Sequence, residues 1–243
     1  MKRFILAILL LAPALASAQA QKGTCKDGTW QALGFPSQGA CQNLVRSGTV
    51  LAWNAREDFA LSPNEENPNP DRNGFLNVWH FLSSTGPAHD PATYGLLPQY
   101  EVRGPGREAW TTPAPGGTFP APLVGVVNQF AELHPGNAGE LAILGWRSPV
   151  SGTVNVVGEF FDEDPNGGDG VAWSVDHRTA SQSVTLMSGT VDSAQPGLFP
   201  AGNGFRISVV VSEGDFLDFV VDARGNFTFD ATMLNLVIVG PVE

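Results

Sequence analysis

The chain is short of lysine, of cysteine and of catalytic signatures. Three lysines stand among 243 residues, and the formal net charge is −11. No concentrated basic patch can form on such a chain, so nucleic acid and anionic membranes are not expected partners. The two cysteines, Cys25 and Cys41, have no third cysteine and no histidine before His80, which a metal site or an activated thiol would need nearby. There is no G-x-S-x-G elbow, no H-E-x-x-H pair and no G-x-x-x-x-G-K-[ST] loop, and the histidines His80, His89, His134 and His177 are scattered. Nothing singles out catalysis, and no cofactor is required by any motif.

Long apolar runs are also lacking after the first 20 residues, where MKRFILAILLLAPALASAQA places two cations before an apolar stretch and ends on two A-x-A sites. That is the pattern of a secretory signal peptide, with a core too short to span a bilayer. Residues 1–20 are therefore expected to be cleaved, and the mature chain to be secreted, extracellular or periplasmic, with no membrane insertion. Loss of Lys2 and Arg3 takes the formal charge to −13. In an oxidising compartment Cys25 and Cys41 are expected to pair, a bridge that contributes about 3 kcal/mol by restricting the unfolded chain.

Between the cysteines runs CKDGTWQALGFPSQGAC, then QNLVRSG. Ser37 can cap a short helix that carries Cys41, Leu44 and Val45 and stops near Gly48. Residues 21–47 thus form an N-terminal disulfide-bearing motif. Its C-x-x-G-x-W and G-F-x-x-Q-G-x-C spacing resembles a motif of secreted bacterial proteins, and the resemblance carries no activity.

From residue 48 to 243 the apolar pattern has period two. TVLAWN, FLNVWHFL, LVGVVNQF, ELAILGW, GTVNVVGEF, GVAWSVD, QSVTLMS, FRISVVV, DFLDFVVD and MLNLVIV read as strands between Gly, Pro, Asn and Asp clusters. Many short strands without helical periods indicate a mainly β domain, an antiparallel β-sandwich of jelly-roll type. Residues 83–122, rich in proline and glycine, read as long loops over it.

The run HPGNAGELAILGWRSPVSGTVNVVGEFFDED, with GGDGVAWSV and ISVVVSEGDFLDFVVDARGNFTFDATMLNLVI, resembles a jelly-roll module of secreted bacterial proteins similar to galactose-binding-like or carbohydrate-binding domains. EDFALS and NVWHFL fit that module's first strands. The resemblance implies a sandwich over about residues 57–240, with polysaccharide or a cell-surface glycan as partner.

Two local features carry chemistry. Asp162, Asp164, Asn166 and Asp169 surround two glycines, as in a calcium loop. An EF-hand is excluded, because the twelfth position is Trp173 instead of glutamate and the flanks are strands. A hairpin tip of turn residues and an oxygen cage for a structural calcium both remain open. A second acidic cluster, Asp222, Asn226 and Asp230, carries the same ambiguity. For a sugar platform the candidates are Trp110, Trp173 and Trp79, with Tyr94 and Tyr100. Trp110, in a proline-rich setting, is the aromatic most expected to be exposed, whereas Trp79 alternates with Phe75 and Phe81 in a core-like pattern.

Three functions of different class fit: a non-catalytic glycan-binding module, a structural or adhesive envelope protein, and a small polysaccharide-active enzyme.

Overall fold

The computed structural model describes residues 38, 39, 42, 51–59, 66–113, 119–164, 167–192 and 203–242. The predicted signal peptide, Cys25, Cys41 and Asn166 lie outside the described residues.

The described chain folds as two antiparallel sheets. After β1 (Leu51–Asn54) and a short helix α1 (Ala55–Phe59) come β2 (Trp79–Ser83), β3 (Gly95–Leu96), β4 (Gln99–Gly104), β5 (Arg107–Thr111), β6 (Leu123–Val127) and β7 (Phe130–His134). The second half adds β8 (Ala142–Arg147), β9 (Gly152–Asp162), β10 (Val171–Arg178), β11 (Ser183–Val191), β12 (Gly204–Val211), β13 (Phe216–Ala223) and β14 (Thr232–Val242). The first sheet runs β12-β9-β14-β7-β6-β5-β4, with β1 also paired to β14; the second runs β11-β10-β13-β8-β2-β3. From β7 to β14 the strands pair as β7 with β14, β8 with β13, β9 with β12 and β10 with β11, and successive pairs fall in alternate sheets. This is the connectivity of a jelly roll, a long hairpin wrapped across both sheets.

Period-two alternation explains why these segments pack this way. On β9, Val154, Val156, Gly158 and Phe160 are buried while Asn155, Val157 and Glu159 between them are more exposed. Val154, Val156 and Phe160 meet Trp173, Val175 and Phe219 of the other sheet in one core. Phe205 pairs opposite Gly158, and a Cβ on Gly158 would lie 2.4 Å from the Phe205 ring, so glycine is what admits the ring. The rings of Phe160 and Trp173 stack at 4.9 Å and that of Phe205 stacks on Trp173 at 5.5 Å. Trp53 and Trp146 meet edge to face at 5.0 Å.

Buried acids serve the core indoles. Asp58 accepts from Trp79 Nε1 at 2.8 Å and Asp71 from Trp53 Nε1 at 2.6 Å. Burial pushes Asp58 up to about 6, against the indole and Arg72, which favour its charge.

Two expectations are corrected. Residues 83–122 do not run as loops alone, because β3, β4 and β5 lie within them. EDFALS does not begin as a strand: Glu57, Asp58 and Phe59 belong to α1, and the side chain of Asn54, the residue before that helix, accepts from Glu57 N at 3.0 Å.

Candidate functional site

The end of the sandwich reached by His134 and Asp162 carries a pocket. The loops after β9 and β13 meet there: Asp169 Oδ1 accepts from Asn226 Nδ2 at 3.1 Å, and Ala231 N donates to Asp164 Oδ2 at 3.1 Å. The two acidic clusters of the sequence are therefore neighbours in space.

On the outer face of the first sheet, Ala109, Gly125 and Glu132 stand side by side in register on β5, β6 and β7. Small residues at 109 and 125 leave room across the sheet, and Arg103 of β4 reaches Glu132 Oε1 at 3.2 Å. Arg107 lies 3.7 Å from the same oxygen and also pairs with Glu163. Glu132 is 1% exposed. Burial raises its carboxyl, and the two arginines pull it back. Its Oε2 and that of Glu163 are buried without a hydrogen-bond partner.

Above these charges lies a cavity of about 370 Å³, lined also by Phe119, His134, Asp164, Phe227, Phe229 and others. Arg103 stacks over the Phe119 ring at 4.8 Å, and the His134 ring lies 4.9 Å from Phe119 and 6.0 Å from Phe227. Phe119 and Phe229 are about half exposed. Phe229 has φ 62°, a left-handed conformation rare for a bulky residue, which turns the chain between Phe227 and the buried Asp230. His134 Nδ1 stands 2.8 Å from the Pro135 carbonyl, and burial lowers its pKa, so the ring is neutral near pH 7. Asp230 lies between the lining residues Phe229 and Ala231; both its oxygens are buried and unpartnered, and burial, then Asp169, Asp162 and Asp164, push it up to about 7.

A second cavity, of about 450 Å³, lies on the outer face of the other sheet, beside His89 and along Ser174, Ser188, Thr190 and Asp222. His89 Nδ1 is 3.0 Å from Asp176 Oδ2 and 3.5 Å from Ser174 Oγ. Serine and carboxylate share one ring nitrogen, so the trio lacks the relay of a hydrolase triad, which uses both nitrogens. The hydrogen bond to Asp176 raises the His89 pKa. Asp218, on the neighbouring strand, is gripped by Arg178 through Nε at 2.7 Å and Nη2 at 2.9 Å.

Of the aromatic residues expected to form a sugar platform, Trp173 borders the cavity beside His89, and Tyr94 and Tyr100 are half-buried. Trp79, Trp110 and Trp173 belong to the core, and the expectation that Trp110 is exposed is corrected: it sits on β5, inward, 5.6 Å from Tyr100. The Tyr100 hydroxyl donates to Glu108 at 2.6 Å. Tyr94 is half-buried over Leu82, Leu141, Ile143 and Val220. Of the predicted calcium ligands, Asp162 Oδ1 accepts from Asp164 N at 2.8 Å, as in a turn. Among the described residues no three His, Cys, Asp or Glu side chains stand close enough to hold a metal ion. None of Arg103, Arg107, Glu132 and Phe119 was picked out from the sequence. The available signal was a charge inside an apolar strand, Glu132 between Ala131 and Leu133.

No helix among the described residues is long and apolar enough to cross a membrane. No family model matches the chain, and no curated protein matches it. Solved structures similar to it include the Arthrobacter globiformis isomalto-dextranase complexed with panose, at 16% identity over 47% of this chain and 19% of that one, TM-score 0.29. Another is the K3 adhesin domain of Lys-gingipain from Porphyromonas gingivalis, at 13% identity over 47% of this chain and 74% of that one, TM-score 0.30. A third is the Caldicellulosiruptor saccharolyticus carbohydrate-binding module CBM27-1 in complex with mannohexaose, at 14% identity over 57% of this chain and 85% of that one, TM-score 0.33. Likenesses this distant assign no residue of the site.

Proposed function

We propose that the chain is a secreted, non-catalytic glycan-binding module whose sugar site is the pocket at the end of the sandwich. The observation that carries this reading is the joining of aromatic rings, arginines and carboxylates around one cavity of about 370 Å³. A pyranose ring has C–H faces that pack on aromatic rings and a rim of hydroxyls that both donate and accept. Phe119, Phe227 and Phe229 offer the first kind of contact, and Glu132, Glu163, Arg103 and Arg107 the second. The ion pairs lock the polar groups before a ligand arrives, which limits the ordering cost of binding.

Affinity electrophoresis of residues 21–243 through gels holding plant, algal and bacterial polysaccharides tests the reading. Retardation by at least one polymer, lost in Phe119→Ala, supports it; uniform mobility across the panel contradicts it.

One observation favours a structural or adhesive role instead. β12 is an edge strand, and its Val210 is 73% exposed. That role predicts self-association in sedimentation at micromolar concentration, removed by Val210→Lys, with no mobility shift on any glycan.

A further inference from the structure

The pocket's two arginines, Arg103 and Arg107, are turned onto its own carboxylates, Glu132 and Glu163. The buried polar atoms left without a partner are acceptors: Glu132 Oε2 and Glu163 Oε2 in the lining residues, and both oxygens of Asp230 between Phe229 and Ala231. Formal charge points the same way, with two guanidiniums facing Glu132, Glu163 and Asp164. His134 adds no positive charge near pH 7, because burial keeps its ring neutral. The exposed rings of Phe119 and Phe229 add negative π-faces around the entrance.

A ligand that completes such a pocket brings hydrogen-bond donors, and a positive charge serves better than a neutral one. An anionic sugar would meet a formal excess of carboxylate, with both arginines already shared by Glu132 and Glu163. Building on the glycan reading, we infer that the recognised sugar carries a free amino group: a hexosamine whose ammonium lies over Glu132 and Glu163 while its ring rests against Phe119 and Phe227. N-acetylation would remove the charge and one or more donors, and uronic or sulfated sugars would be excluded.

Calorimetric titration of the mature chain with the glucosamine disaccharide, its N,N′-diacetyl form, cellobiose and digalacturonate tests this. The expected result is binding of the free amine at least about tenfold tighter than its diacetyl form, the size of one charge-assisted contact. Glu132→Gln should bring the two within about threefold, with Glu163→Gln as a second variant should the first fail to fold. Glu213→Gln, beside Ser151 at the far end of β9, should leave the preference intact and so exclude general attraction to an acidic surface. Raising the pH through the amine's own pKa should remove the preference. Equal affinity for cellobiose and the free amine overturns the amine inference and leaves the glycan reading standing. Tighter binding of digalacturonate also overturns it, and failure of every sugar overturns both.

Discussion

Arg103 and Glu132 stand on strands of one sheet with two others between them, yet Nη1 of one lies 3.2 Å from Oε1 of the other across the outer face. The pair stays together because Ala109 and Gly125 project little into the space between. Removing one partner leaves a buried charge short of its counter-ion. Arg103→Met should therefore cost about 2–4 kcal/mol in urea unfolding, less than a fully orphaned charge because Arg107 remains 3.7 Å from the same oxygen. Adding Glu132→Gln should recover more than half of that loss, and a double variant no better than the single would contradict the account.

Asp58 sets a pH dependence whose sign is opposite to that of a surface ion pair. Its carboxyl is raised in the folded protein to about 6, above its unfolded value of 3.8. Such a group supports folding most below the unfolded pKa, and that support is lost as pH rises through the folded one. The stability difference between wild type and Asp58→Asn should therefore move by about 2 kcal/mol against the wild type from pH 4 to pH 7. Parallel stability–pH curves would contradict it.

Asp230 follows the same sign over a window reaching about pH 7. Asp230→Asn should melt at a higher temperature than the wild type at pH 8, with the gap closing towards pH 4. Calorimetric scans at the two pH values check this; a gap that widens on acidification would contradict it.

The alternation in GTVNVVGEF and FRISVVV makes β9 and β12 legible, because one face of each is core and the other is more exposed. β4 was hidden because QYEVRG carries only Tyr100 and Val102 on its apolar face and Val102 is 69% exposed, as suits a strand at the end of its sheet. Trp110 misleads for a related reason: the prolines and glutamate around it signal a loop, whereas β5 turns its indole inward against Tyr100. The pocket was less legible still, since Arg103, Phe119, Glu132 and Phe229 are brought together only by pairing across β4 to β7 and by the loop after β13. No local pattern records that meeting. The acidic runs around Asp164 and Asp230 were visible, but not that they converge.

Trp110→Phe offers a direct check on that correction. Truncating a core indole should lower stability by about 1–3 kcal/mol. Affinity for any bound glycan should stay within about twofold, as expected for a ring outside the pocket. A large loss of affinity with an unchanged melting temperature would return Trp110 to the site.

His89 should titrate above the ordinary histidine value because its Nδ1 is bonded to Asp176. In Asp176→Asn the ring resonance should titrate lower by NMR, since both the hydrogen bond and the charge are weakened. An unchanged midpoint would mean that the pair does not form in solution.

The most direct measurement is amide chemical-shift mapping with whichever glycan retards the protein. The account predicts perturbations clustered at Arg103, Phe119, Glu132, His134 and 227–231 around the end pocket. Perturbations confined to His89 and to Ser174 and Ser188 of the opposite sheet would contradict it and move the sugar to the second cavity.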